Sequence, residues 1–133
     1  VYICVDFDGT IVEHVFPKIG KPVPGALNWL KLFQAEDAQI ILFTMRSDGQ
    51  KHGDVLTDAV DYLRKTGIEL FGVNTNPGQE GWTKSPKAYG QIYIDDASAC
   101  CPLIQPEGFA RPCVDWSIVG PWTMHQIDLD SRP

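Results

Sequence analysis

Two spacings of apolar residues alternate along the chain, and the switches between them predict the elements. Val1–Val5, Gln39–Thr44, Leu70–Asn74 and Gln91–Asp95 are short, nearly continuous apolar runs rich in β-branched and aromatic residues, and each predicts a buried strand. Leu27, Leu30 and Phe33, with Trp29 and Leu32, recur at helical spacing; Pro24 opens that helix and it reaches about Glu36. Val55, Ala59 and Leu63, with Leu56 and Val60, form a second helical face, with Asp54 as N-cap and Gly67 as terminator. Ser85-Pro86 predicts a compact helix ending at Gly90. The stretches 13–22, 45–53 and 76–82 are loops. Beyond Cys101, residues 115–126 have helical character, but Gly120-Pro121 should break or kink that helix. Trp116 and Trp122 are expected to be packing residues.

Strands alternating with helices predict an α/β fold: a three-layer α/β/α Rossmann-like domain with a mainly parallel sheet. In such sheets ligands bind beyond the carboxyl ends of the strands. Asp6 and Asp8, Thr44, Asn74, and Asp95-Asp96 all fall at those ends. Four segments far apart in sequence thus bring polar residues to one edge, which is the main reason to expect a site there.

Length and composition narrow the setting. With 133 residues, 44% apolar and 21% charged, the chain reads as one globular domain over 1–133, with 100–133 as a C-terminal extension packed on the core. No apolar run is long enough to span a membrane and no signal-peptide pattern is present, so a cytoplasmic location is expected. Val1 already lies inside a strand pattern, so an initiator Met and a few residues are expected upstream. The net charge of −6 argues against a general nucleic-acid grip, which needs Lys/Arg clusters. Cys4, Cys100, Cys101 and Cys113 lack zinc-ligand spacing, and a reduced chain is the simpler reading.

The most specific stretch is Asp6-Phe7-Asp8-Gly9-Thr10. A buried strand that ends on two carboxylates needs a positive partner beside them, because an unpaired buried charge is costly. A divalent metal would serve. A hard cation such as Mg²⁺ takes oxygen ligands, and phosphoryl transfer asks chiefly for charge neutralisation and positioning. Asp6, the backbone carbonyl of Asp8 and one of Asp95/Asp96 supply such ligands, with Thr44 and Lys87 placed to hold phosphoryl oxygens.

These residues resemble the four motifs of the haloacid dehalogenase (HAD) superfamily of phosphohydrolases over residues 1 to about 98. The resemblance implies that Asp6 is a nucleophile forming an aspartyl-phosphate, and Asp8 a general acid/base and backbone metal ligand. It makes Leu42-Phe43-Thr44 the second motif, Lys87 the third and Asp95-Asp96 the fourth. Asp96 is then favoured as the direct Mg²⁺ ligand, with Asp95 behind it or paired with Lys87; Lys84 is the fallback lysine. A response-regulator receiver uses similar groups, but its order is acidic pair, phosphorylated Asp, Lys, which this chain does not follow.

Gly9 and Thr10 of the first turn, with Met45 and Arg46 after Thr44, are expected to bind substrate, Arg46 through a second anionic group. His14, His52, Asn74 and Asn76 lie on loops near the expected mouth. The segments 10–24 and 75–84 are too short to fold as a cap domain. A capless phosphatase acting on a small or macromolecular phosphate ester is the expectation, its open site suiting a bulky ester or one enclosed by a second subunit or by the tail. A catalytically weak binding module, or phosphotransfer to an acceptor other than water, are the alternatives.

Overall fold

The structure is a computed structural model and describes residues 1–130. Four parallel strands form the sheet: β1 (Tyr2–Val5), β2 (Gln39–Leu42), β3 (Leu70–Val73) and β4 (Ile92–Ile94), in the order β3-β2-β1-β4. The fold is α/β, three-layered and Rossmann-like. Its register explains why the polar residues meet: Val5 pairs with Leu42 and with Ile94, and Leu42 with Val73, so all four strands end level. Whatever follows those residues therefore emerges at one edge.

The strands alternate their side chains between two unlike faces. Ile3, Val5, Ile40, Leu42, Ile92 and Ile94 belong to the main core, packed with residues of α1 (Ala26–Ala35), α2 (Val55–Lys65) and α3 (Trp116–Asp130). Cys4 and Ile41 point the other way, into a smaller cluster with Ala88 that Tyr2, Phe43 and Phe71 flank. The third layer is thus the β3–β4 connection itself. The helix expected over residues 85–90 is absent, and a 3₁₀ turn forms earlier, at Pro77–Gln79. Asn76 starts that turn by accepting a hydrogen bond from the Gly78 amide. Gln79 then occupies the polar groups of the 85–89 backbone that a helix would have had to satisfy internally.

Capping of α2 also differs from the expectation. Asp54 sits at the N-cap but its side chain makes no capping bond. Asp48, seven residues before the helix, accepts from the amides of Leu56 and Thr57 and from the Thr57 hydroxyl. Those bonds, that of the Thr57 hydroxyl foremost, hold the Asp48 carboxyl below its usual range.

In the tail, β5 (Leu103–Ile104) and β6 (Cys113–Val114) form a small antiparallel pair that the apolar pattern did not predict. Helix α3 continues through Gly120-Pro121. Pro121 costs the helix one backbone bond, but Trp116, Gly120, Thr123 and Ile127 are buried on one face, and that face packs on α1. Gly120 makes the close approach possible, since a Cβ there would lie 2.4 Å from the Trp29 ring. Tertiary packing outweighs the local breaker. Trp116 is fully buried as expected, whereas Trp122 is 54% exposed. The three residues 131–133 of the expected C-terminal extension lie outside the described residues.

Candidate functional site

Strand β1 delivers Asp6 directly to the sheet edge, its amide donating to the Ile94 carbonyl of β4. The chain then turns sharply, with the Phe7 carbonyl accepting from the amides of Thr10, Ile11 and Val12. Gly9 has φ +83°, in the left-handed region, and a Cβ there would meet an Asp96 carboxylate oxygen at 2.4 Å. Only glycine lets the first turn approach the β4 end so closely. The tail holds this turn from outside: the Val114 amide donates to the Gly9 carbonyl, and Trp116 Nε1 donates to the Thr10 carbonyl at 2.8 Å.

Three carboxylates converge there. Asp6, Asp95 and Asp96 each offer an oxygen, and the three lie within 4.8 Å of one another. The fully buried Thr10 hydroxyl sits 3.3 Å from both Asp6 Oδ2 and Asp96 Oδ1 and accepts from the Asp96 amide. Burial, followed by the nearby Asp95 charge and the hydrogen bond with Asp96, pushes the Asp6 carboxyl up to about 8. The backbone amide of Phe7 pulls weakly the other way. Such a cluster suits a hard cation, which would supply the positive charge that the three carboxylates lack. Asp95 also caps its own turn, accepting from the Ala97 amide, and no ion pair joins it to Lys87 among the described residues.

Lys87, Asp6, Asp95, Cys4, Phe43 and Tyr93 line a cleft of about 230 Å³ at this edge. Lys84 lines a separate groove with Glu80 and Thr83, so Lys87 is the lysine beside the acidic centre. Cys4 borders the cleft, but burial pushes its thiol up to about 11, which makes it an apolar wall and not a nucleophile. Thr44 follows β2; its amide donates to Asn74 Oδ1 at 2.7 Å and its hydroxyl accepts from the Arg46 amide. Asn74, at φ +58°, thereby ties the ends of β2 and β3 together.

The remaining expected contacts are arranged differently. Asp8 turns its carboxylate away from the triad and onto Arg46, with Nε and Nη2 each at 2.8 Å. Only its backbone carbonyl is left that could serve a cation. Arg46, expected as a ligand for a substrate anion, is 3% exposed. Its Nη1 also donates to the carbonyls of Pro17 and Val55, and its Nη2 to that of Lys18. All five guanidinium N–H donors are therefore taken inside the protein, and the plane lies against the rings of Phe7 and Phe16. Arg46 is a buried fastener joining Asp8, the 17–18 loop and the start of α2, so it has no donor to give a substrate. The amides of Gly9 and Thr10 are likewise engaged within the turn, donating to Val12 and Phe7 carbonyls. Met45 is 97% exposed, and His52 lies edge-on to Phe16, 5.2 Å between centroids, on the loop side; His14 is half-buried.

Two buried amides hold the cleft lysine: Asn76, expected near the mouth, and Gln79, which the sequence did not signal. Gln79 donates to the carbonyls of Ser85 and Lys87 and accepts from the Tyr89 amide at 2.7 Å. Asn76, besides starting its turn, donates to the Tyr89 carbonyl at 2.9 Å. A Gln in a Pro/Gly loop is too common to signal this from sequence. Replacing Gln79 with Leu leaves a buried amide and two carbonyls unpaired, for an expected loss of about 1–3 kcal/mol. Thermal unfolding of the variant measures it; an unchanged midpoint would show that water replaces the side chain.

Among solved structures, the chain is similar to that of a conserved protein from Bacteroides thetaiotaomicron, at 33% sequence identity and a TM-score of 0.72. The alignment covers 94% of this chain and 90% of that one. No family model matches the chain, and no curated protein does.

Proposed function

We propose that this chain, which belongs to the same family as the conserved Bacteroides thetaiotaomicron protein, is a Mg²⁺-dependent phosphatase of the HAD type working through an aspartyl-phosphate on Asp6. The observation that carries the reading is the meeting of Asp6, Asp95 and Asp96 beside Lys87 at the carboxyl edge of a parallel sheet. Asp6 lines the cleft and is fixed by the strand, which supports the nucleophile role. Lys87 and the Thr44 hydroxyl would hold the non-bridging oxygens of the phosphoryl group. Mg²⁺ would be held by Asp6, Asp96, the Asp8 carbonyl and either Asp95 or water, and would neutralise charge on the phosphoryl oxygens.

In the first half-reaction an Asp6 carboxylate oxygen attacks phosphorus, the bond to the ester oxygen breaks, and Asp8 gives that oxygen a proton. In the second, Asp8 takes a proton from water, whose oxygen attacks phosphorus and frees Asp6 with release of inorganic phosphate. Asp8 can do either only after at least one of its hydrogen bonds to Arg46 opens, because both its oxygens are occupied by the guanidinium fork. That parked carboxylate favours a second reading, a phosphate- and metal-binding module with slow turnover. A cytoplasmic setting, a phosphorylated small molecule as substrate, and completion of the site by a second copy of the chain belong to the same proposal. No helix among the described residues is long and apolar enough to cross a membrane.

Phosphate release from a panel of phosphate esters, with Mg²⁺ and with chelator, tests the proposal. Mg²⁺-dependent release supports the phosphatase. Tight Mg²⁺ and phosphate binding without release on any ester selects the binding module.

A further inference from the structure

The thin third layer leaves an aromatic surface beside the acidic centre. Trp82, Tyr89 and Tyr93 are 64%, 40% and 37% exposed, although side chains of this size and stiffness are commonly covered. They line one groove of about 340 Å³ with Lys87, Gln79 and Thr83. The groove continues the cleft at Asp6, because Lys87 and Tyr93 line both. Lys87 Nζ stands over the Tyr93 ring, 5.4 Å from its centroid, at the junction.

The rings are held in place without a ligand. The Tyr93 hydroxyl donates to the Ala88 carbonyl at 2.7 Å and accepts from the Gly90 amide. Tyr89 is fixed at its amide by Gln79 and at its carbonyl by Asn76, and Trp82 packs edge-on against it, centroids 5.5 Å apart. The Trp82 amide donates to the Gln79 carbonyl. Preorganised aromatic faces lose little entropy when a flat ring joins them.

We propose that this groove binds the nucleobase of a nucleoside monophosphate whose phosphate lies in the Asp6 cleft. A flat heterocycle can stack on the exposed Trp82 and Tyr89 rings, which an aliphatic chain would use poorly. The ammonium of Lys87 at the junction matches the phosphate at the other end of the ligand. A net charge of −6 speaks for a mononucleotide and against a polynucleotide, which would need phosphate-neutralising residues along its track. The phosphate end of this assignment rests on the phosphatase reading; the base end does not.

The test uses the whole chain and its Trp82→Ala variant. With AMP and ribose 5-phosphate as substrates, the wild type should prefer AMP. The variant should raise KM for AMP about tenfold, with kcat and the kinetics on ribose 5-phosphate unchanged. Equal effects on both substrates, or none, overturn the proposal. Adenosine, which has no phosphate, should quench tryptophan fluorescence in the wild type and not in the variant. If it does so while no ester is hydrolysed, the groove assignment stands and the phosphatase reading falls. If ribose 5-phosphate is hydrolysed but adenosine quenches nothing, the groove assignment falls and the phosphatase reading stands. Loss of a dimer in Trp82→Ala by sedimentation, with no adenosine quenching, would give the surface to a second copy of the chain and equally overturn it.

Discussion

Asp6→Asn should abolish phosphate release, by at least roughly a thousandfold, and at the same time make the metal-free protein more stable at pH 8. The first half follows from its proposed role as nucleophile. The second follows from the electrostatics of the triad. Burial, then the Asp95 and Asp96 carboxylates, raise the Asp6 carboxyl from 3.8 to about 8 in the folded chain. Below its unfolded value Asp6 is protonated in both states and the triad carries no penalty from it. As pH rises toward 8 the unfolded chain gives up that proton while the folded chain retains it, so the stability of the metal-free protein falls. Asn has no proton to lose and the same shape. The variant's advantage should therefore vanish near pH 4 and grow toward pH 8, read as the difference between thermal midpoints in chelator. Mg²⁺ should reverse it, stabilising the wild type more than the variant through binding to the folded state alone. Turnover that survives the substitution would remove Asp6 from the mechanism. Equal midpoints at both pH values would mean that burial and the neighbouring carboxylates disfavour a charged Asp6 less than the structure implies.

Arg46→Ala should cost about 3–5 kcal/mol, the usual result of deleting one partner of a buried ion pair. For a chain of this size that lowers the midpoint by on the order of 10 °C or more. Its side chain is 1% exposed and that of Asp8 12%, so water cannot readily take its place. The loss leaves the Asp8 carboxylate and the carbonyls of Pro17, Lys18 and Val55 short of donors together. Arg46→Lys should recover only part, since an ammonium cannot reproduce the planar fork. Hydrolysis should fall about a hundredfold in the Lys variant through misplacement of Asp8, seen in kcat and not in KM. Asp8→Asn should cost much less stability in an Arg46→Ala background than in the wild type, since the two share one interaction. A variant of wild-type stability with only a raised KM would return Arg46 to the substrate.

Asp6 and Arg46 also differ in how visible their roles are in the amino-acid sequence. Asp6 was accessible because its signal is local: an apolar run that ends on a carboxylate, two residues before another, with glycine and threonine after it. Asp95-Asp96 was accessible for the same reason. Arg46 was not. An arginine in a polar loop between Met45 and Ser47 has the appearance of an exposed charge, and only the folding of the 13–21 loop over it and of the start of α2 against it supplies the carbonyls that take its donors. Asp48 gives the same lesson at smaller scale, since it caps α2 from a position that N-cap statistics assign to Asp54.

Short-range physics thus determined the four strands and the two helices α1 and α2. Those features depend on side-chain periodicity and on glycine and proline, which act within a few residues. The tertiary structure alone decided how α3 passes Pro121, because the burial of one face against α1 outweighs one missing hydrogen bond. It alone replaced the 85–90 helix by a loop pinned on Gln79 and Asn76, and paired Asp8 with Arg46 across 38 residues. In each case the deciding partner is remote in sequence, and its contribution exists only once the chain has closed the distance.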